Sequence, residues 1–160
     1  MENSQTALLV NMIVTAWKGQ NKRVDDLIVK LTSDQWNSDT AFGRNSGNYL
    51  LGHLAAVNDG MIKLLGFGNK LYPELEAPFL TNGDKTGHAF PPLEDLKKYW
   101  KEINTFLDSK MNGLSTDDWF EKHTSVSEED FAREPHRNKL NILISRTNHQ
   151  AYHLGQLAYL

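Results

Sequence analysis

At 160 residues, with 39% hydrophobic and 23% charged residues, the chain has the composition of one globular domain spanning 1–160, and intrinsic disorder is excluded. A net charge of -3, from 17 basic and 20 acidic residues, argues against nucleic acid as a partner, because neutralising phosphates takes a basic excess. Cysteine is absent, which removes disulfides, thiolate nucleophiles and cysteine-bound zinc together; any metal must be held by carboxylates and the six histidines.

The first element runs from about Ser4 to Leu31, where Val10, Ile13, Trp17, Val24, Leu27, Ile28 and Leu31 recur at helical steps. Gly19 interrupts it at a cost of about 1 kcal/mol against alanine, which predicts a bend or fray there. Leu31-Thr32-Ser33-Asp34-Gln35-Trp36 then stops the helix and opens a short one, with Thr32 and Gln35 spaced as a capping box. Asn37 to Asn48 is loop. A second long helix, about Asn48 to Leu65, is carried by Leu50, Leu54, Val57, Met61 and Leu64, and Gly66 closes it.

The connection Phe67–Pro92 is rich in Gly, Pro and Asn; one so long in a small domain is usually a lid, a binding loop or a crossover. Pro91 and Pro92 precede a third helix on Leu93, Leu96, Trp100, Ile103, Phe106 or Leu107, and Met111. Leu114-Ser115-Thr116-Asp117-Asp118-Trp119 then repeats the earlier capped turn almost position for position, suggesting two similar halves. After a polar loop from Glu121 to Asn138, Leu140, Leu143, Ile144, Thr147, Ala151, Leu154 and Ala158 mark a fourth helix. No segment alternates with period two, so no strand is expected. The predicted fold is all-α: a four-helix bundle with two long connecting loops. No apolar run reaches the ~20 residues of a membrane helix, and Met1-Glu2-Asn3-Ser4-Gln5 has no basic leader. A cytoplasmic protein with no membrane partner is expected.

His149 and His153 stand four residues apart on the fourth helix, so their rings leave one face and can share an ion. Imidazole suits zinc, nickel, copper or iron better than magnesium or calcium. On the helical wheel the pair lies at the margin of the apolar stripe, which fits either a solvent-facing pair or a cleft walled by Ile142 and Leu160. His53, flanking the stripe of the second helix, is either a structural histidine or a third ligand. Three histidines from two helices would leave a coordination position open for water or substrate. His88, His123 and His136 fall in loops and share no ligand spacing. There is no phosphate-binding loop, no GxSxG elbow and no paired Glu-x-x-His.

The segments Asn48-Tyr49-Leu50-Leu51-Gly52-His53-Leu54 and His149-Gln150-Ala151-Tyr152-His153-Leu154-Gly155-Gln156-Leu157 resemble the ligand segments of the DinB/YfiT-like superfamily of four-helix metalloenzymes. The Leu-Thr-Ser-Asp-Gln-Trp turn is also similar to that group. The resemblance extends over nearly the whole chain in helix order and implies that His53, His149 and His153 hold a metal, zinc or nickel. It further implies a low-molecular-weight thiol as a cosubstrate, a small-molecule substrate, and a homodimer. In ending at Leu160 the chain departs from the pattern, where such helices often continue to a basic residue.

The reading these features favour is a metal-dependent enzyme, a transferase or hydrolase, acting on a small molecule. Gln156, one turn beyond His153, is placed to orient a ligand histidine, and Arg146, one turn before His149, to attract an anionic substrate. Both positions also suit ordinary surface residues. The connection Phe67–Pro92 is a candidate lid, with Phe79 and Phe90 as candidate contacts. The alternative is a non-catalytic bundle that dimerises or binds a partner and keeps a structural metal or none.

Overall fold

The structure, a computed structural model, describes residues 2–160. Its long helices are α1 (Glu2–Lys30), α3 (Gly47–Leu64), α4 (Leu93–Met111) and α6 (Lys139–Leu157); α2 (Ser33–Asn37) and α5 (Glu128–Arg133) are short. Among the described residues there is no strand, only the two isolated bridges Asp39–Ser46 and Lys122–Asn138.

Helix α1 runs unbroken through Gly19, against the expected bend. The physical reason is its buried seam, since Val10, Trp17, Val24 and Leu31 recur every seven residues and are all buried. Gly19 lies on the opposite, exposed side, where an added Cβ would meet nothing within 4 Å. Burial of the seam therefore outweighs one unfavourable propensity. Gly19→Ala is expected to stabilise the protein by about 1 kcal/mol, read from urea unfolding.

The two capped turns form as their spacing predicts. Thr32 Oγ1 accepts from the Gln35 amide, and the Gln35 side chain accepts from the Thr32 amide at 3.0 Å. At the matching positions, Ser115 Oγ accepts from the Asp118 amide, and the Asp118 carboxylate accepts from the Ser115 amide at 2.7 Å. Each turn drives its tryptophan, Trp36 or Trp119, into the interior. Three helical pieces escaped the sequence reading of the connections: α5, capped by Ser127, and the turns Pro73–Leu75 and Ala77–Thr81.

Named contacts give the directions of the long helices. Gln150 on α6 donates to Asn21 on α1, and Gln35, just beyond α1, donates to the carbonyl of Leu160, just beyond α6. Those two helices therefore run parallel. Trp100 donates to Asp25 at 2.8 Å and Lys18 pairs with Asp108 at 2.7 Å, so α4 is antiparallel to α1. Helix α3 packs between α4 and α6, antiparallel to α6, because His53 meets His149 and His153 while Asn58 meets Gln150.

With α3 and α4 parallel to each other, the segment between them must return along their length. It does so pinned rather than free: the buried Asp59 carboxylate accepts the amides of Leu71 and Tyr72, at 2.8 and 3.0 Å. Phe79 is fully buried against α3. A chain of amides crosses the interior from Asn104 through Asn58 and Gln150 to Asn21, linking α4, α3, α6 and α1. Each link is specific in direction and length, so the chain sets the register of the long helices against the otherwise slippery apolar contacts. No helix of the described residues is long and apolar enough to cross a membrane.

Candidate metal centre

His53 lies on the flank of α3, and two neighbours fix its ring. Tyr49, one turn earlier, stacks on it at 6.1 Å with only 14° between the planes. The carbonyl of Phe79 sits 2.8 Å from His53 Nδ1, and since a carbonyl has no proton to give, Nδ1 must be the protonated nitrogen. Its Nε2 therefore carries a bare lone pair. Gly52 makes this possible, because a Cβ there would lie 2.2 Å from the Phe79 ring, well inside contact distance.

On α6 the same logic recurs. His153 is buried, and its Nδ1 donates to Gln156 Oε1 at 2.6 Å, which again leaves Nε2 bare. His149 Nε2 stands 3.1 Å from both His53 Nε2 and His153 Nε2. One proton at most is available on that nitrogen, so it cannot satisfy both neighbours. If the proton is on Nδ1 instead, three lone pairs converge on one another. In either case His149 Nδ1 is buried without a hydrogen-bond partner.

Such a group is unfavourable by itself and suits a cation. All three donor atoms lie within 4.8 Å of one another. Metal–nitrogen bonds of about 2.0–2.1 Å put imidazole nitrogens about 3.0–3.4 Å apart, close to the spacing seen here. The donor set and its protonation thus fit a first-row transition ion.

Electrostatics point the same way. Burial lowers the pKa of His149 from 6.5 to about 4, reinforced by His153, His53 and Arg146. Burial also lowers that of His153, against the opposing hydrogen bond that its Nδ1 donates to Gln156. Both therefore favour the neutral form, the one that binds metal.

Arg146 lies one turn before His149, half-buried, and burial depresses its pKa as well. It forms no ion pair among the described residues, and its Nε is buried without a partner. Of the candidate lid contacts, Phe79 acts through its carbonyl and through ring contacts with Tyr49 and Phe90, at 5.9 and 5.0 Å. His88 and His136 are exposed, and His123 hydrogen-bonds the Ser125 amide; none joins the group.

The sequence reading missed Tyr49, Gly52 and the Phe79 carbonyl as supports of His53. Only Gly52 carried a signal: a glycine inside an apolar helical stretch costs propensity and so needs a packing reason.

Fold and site together define an all-helical protein with a three-histidine group able to receive a metal ion. The chain belongs to the DinB family, whose sequence profile matches residues 1–160. No curated protein matches the chain in sequence.

Proposed function

We propose that this protein is a metal-dependent enzyme acting on a small molecule, with His53, His149 and His153 as the ligands of zinc or nickel. The observation that supports this is the meeting of three imidazole Nε2 atoms, two of whose rings have their only proton engaged elsewhere. Three ligands leave an open position, and a metal bound there lowers the pKa of a thiol or water, giving thiolate or hydroxide near neutral pH.

The chain's own residues prepare that position. The Phe79 carbonyl and Gln156 hold the His53 and His153 protons on Nδ1 and so aim Nε2 inward. Burial keeps His149 and His153 neutral. Because the protein has no cysteine, a thiol nucleophile would arrive as a low-molecular-weight cosubstrate.

The proposal reads the chain as a single-domain four-helix bundle, cytoplasmic and homodimeric, with neither nucleic acid nor membrane as a partner. Exposed Leu8, Leu9 and Met12 on α1 provide an apolar strip for a second copy.

Elemental mass spectrometry of untagged protein tests the central claim. Near one zinc or nickel per chain is expected in the native protein, lost in His149→Ala/His153→Ala. Protein that takes up neither metal when both are supplied would instead support the non-catalytic interaction bundle.

A further inference from the structure

The connection leaving α3 folds back along that helix as a strap, gripped at four heights. Asp59 accepts the amides of Leu71 and Tyr72, and the Phe79 carbonyl accepts from His53 Nδ1. The Asn82 carbonyl accepts the Tyr49 hydroxyl at 3.1 Å, and the Asp84 carboxylate accepts the Ser46 amide at 2.7 Å. Strap residues Leu71, Phe79, Asn82 and Asp84 thus meet Asp59, His53, Tyr49 and Ser46 in strict reverse order, over about 20 Å of α3.

Only the grip at Phe79 involves one of the three histidines, so the other grips set where its carbonyl stands. Burial of Leu75 and Phe79 presses the strap onto the bundle, but apolar contact is non-directional and lets a segment slide. Height along α3 is fixed by the polar grips. Asp59 is the firmest of them: it is 1% exposed, and its carboxylate takes two successive amides in charge-assisted bonds. It stands about 9 Å from His53 along the axis, and its hydrogen bonds go to the strap.

We propose that Asp59 is a positioning residue for the metal centre: acting through the strap, it keeps the Phe79 carbonyl on His53, so strap attachment and metal binding strengthen one another. This inference rests on the metal reading above. The link is the imidazole itself. A ring that binds metal through Nε2 carries its proton on Nδ1, the form that also holds the carbonyl, and the carbonyl in turn makes Nε2 a better ligand. The coupling is reciprocal. If detaching the strap weakens metal binding by some factor, bound metal lowers the population of the detached strap by the same factor.

The test uses full-length protein, with zinc affinity read by competition with a chromophoric chelator and amide exchange followed by NMR with and without zinc. Asp59→Asn keeps the size of the side chain but turns an acceptor into a donor facing an amide. It should weaken zinc binding about tenfold, the lower end of the range for a direct support of a ligand histidine. Val10→Ala, in the buried seam of α1, loosens the fold without touching the strap and should leave zinc affinity unchanged. In the native protein, zinc should slow exchange of the Leu71 and Tyr72 amides by a similar factor, and leave that of the Asp130 amide, held by Ser127, as it was. If Asp59→Asn does not fold, Tyr49→Phe reads the same linkage, because it frees Asn82 and keeps the ring on His53. Native zinc affinity in the folded strap variant, an equal loss in Val10→Ala, or exchange at Leu71 and Tyr72 that ignores zinc would overturn the inference and leave the metal site standing. Native protein that retains no zinc would remove the metal reading, and this one with it.

Discussion

His149→Leu is expected to abolish metal retention and yet stabilise the metal-free protein by about 1 kcal/mol, because it removes the buried Nδ1, which has no partner, and an Nε2 that cannot satisfy both neighbouring imidazoles. Leucine is close in size to histidine, so packing against the neighbouring rings is largely kept. The opposite signs carry the information. A histidine kept for structure would lose stability when replaced, whereas one kept for a metal is a cost to the empty fold. Urea unfolding of chelator-treated samples, beside elemental analysis of untreated ones, reads both effects. A less stable metal-free variant would identify His149 as a packing residue.

The same site predicts a pH dependence. In the unfolded chain His149 titrates near 6.5, while in the fold burial holds it neutral down to about 4. Between those values the unfolded state binds more protons, so stability of the metal-free protein falls as pH drops through that window. Above 6.5 the contribution is complete; below about 4 the group adds no further slope. The decline should be shallower in His149→Leu, with a residual part from His153, whose pKa is lowered in the same direction.

Gly52→Ala is the second large effect. The new Cβ would sit 2.2 and 2.3 Å from two atoms of the Phe79 ring, which is fully buried between α3 and the returning segment. One of them has to move, and overpacking of this kind costs about 1–3 kcal/mol. Moving Phe79 also moves the carbonyl that holds the proton of His53, so metal affinity should fall about 10–100-fold. Gly155→Ala is the control, since a Cβ there meets nothing within 4 Å and the change should stabilise α6 by up to about 1 kcal/mol. Equal effects from both glycines would show that the Phe79 contact is not what Gly52 serves.

Legibility differed from element to element for identifiable reasons. The long helices announced themselves because burial along one face imposes a period on the sequence: α3, α4 and α6 begin and end within a residue or two of where the stripe and its caps place them. Helix α5 and the turns around Phe79 are too short to show a period; α5 buries no residue and is held by its Ser127 cap and the Arg133 ion pairs, whereas the turns around Phe79 are fixed by burial of that ring against α3. Gly19 misled because propensity is a weak local preference beside a seam of four buried side chains. The polar residues of the interior gave no sign at all. Asn58 lies in an apolar stretch and Gln150 between two histidines, and only the packed structure shows them joined in the amide chain.

What the sequence determined by itself is therefore whatever depends on neighbours along the chain. The helices, their capped tryptophan turns and the shared face of His149 and His153 all follow from spacings of three, four and seven residues. What the tertiary structure decided is whatever depends on register between helices. His53 stands 3.1 Å from His149 only because α3 and α6 run antiparallel with that particular offset. The unpaired nitrogen of His149 and the proton position on His53 follow from the same packing. A spacing in sequence can put two side chains on one face, but three nitrogens converge only when buried contacts hold the helices at a fixed height.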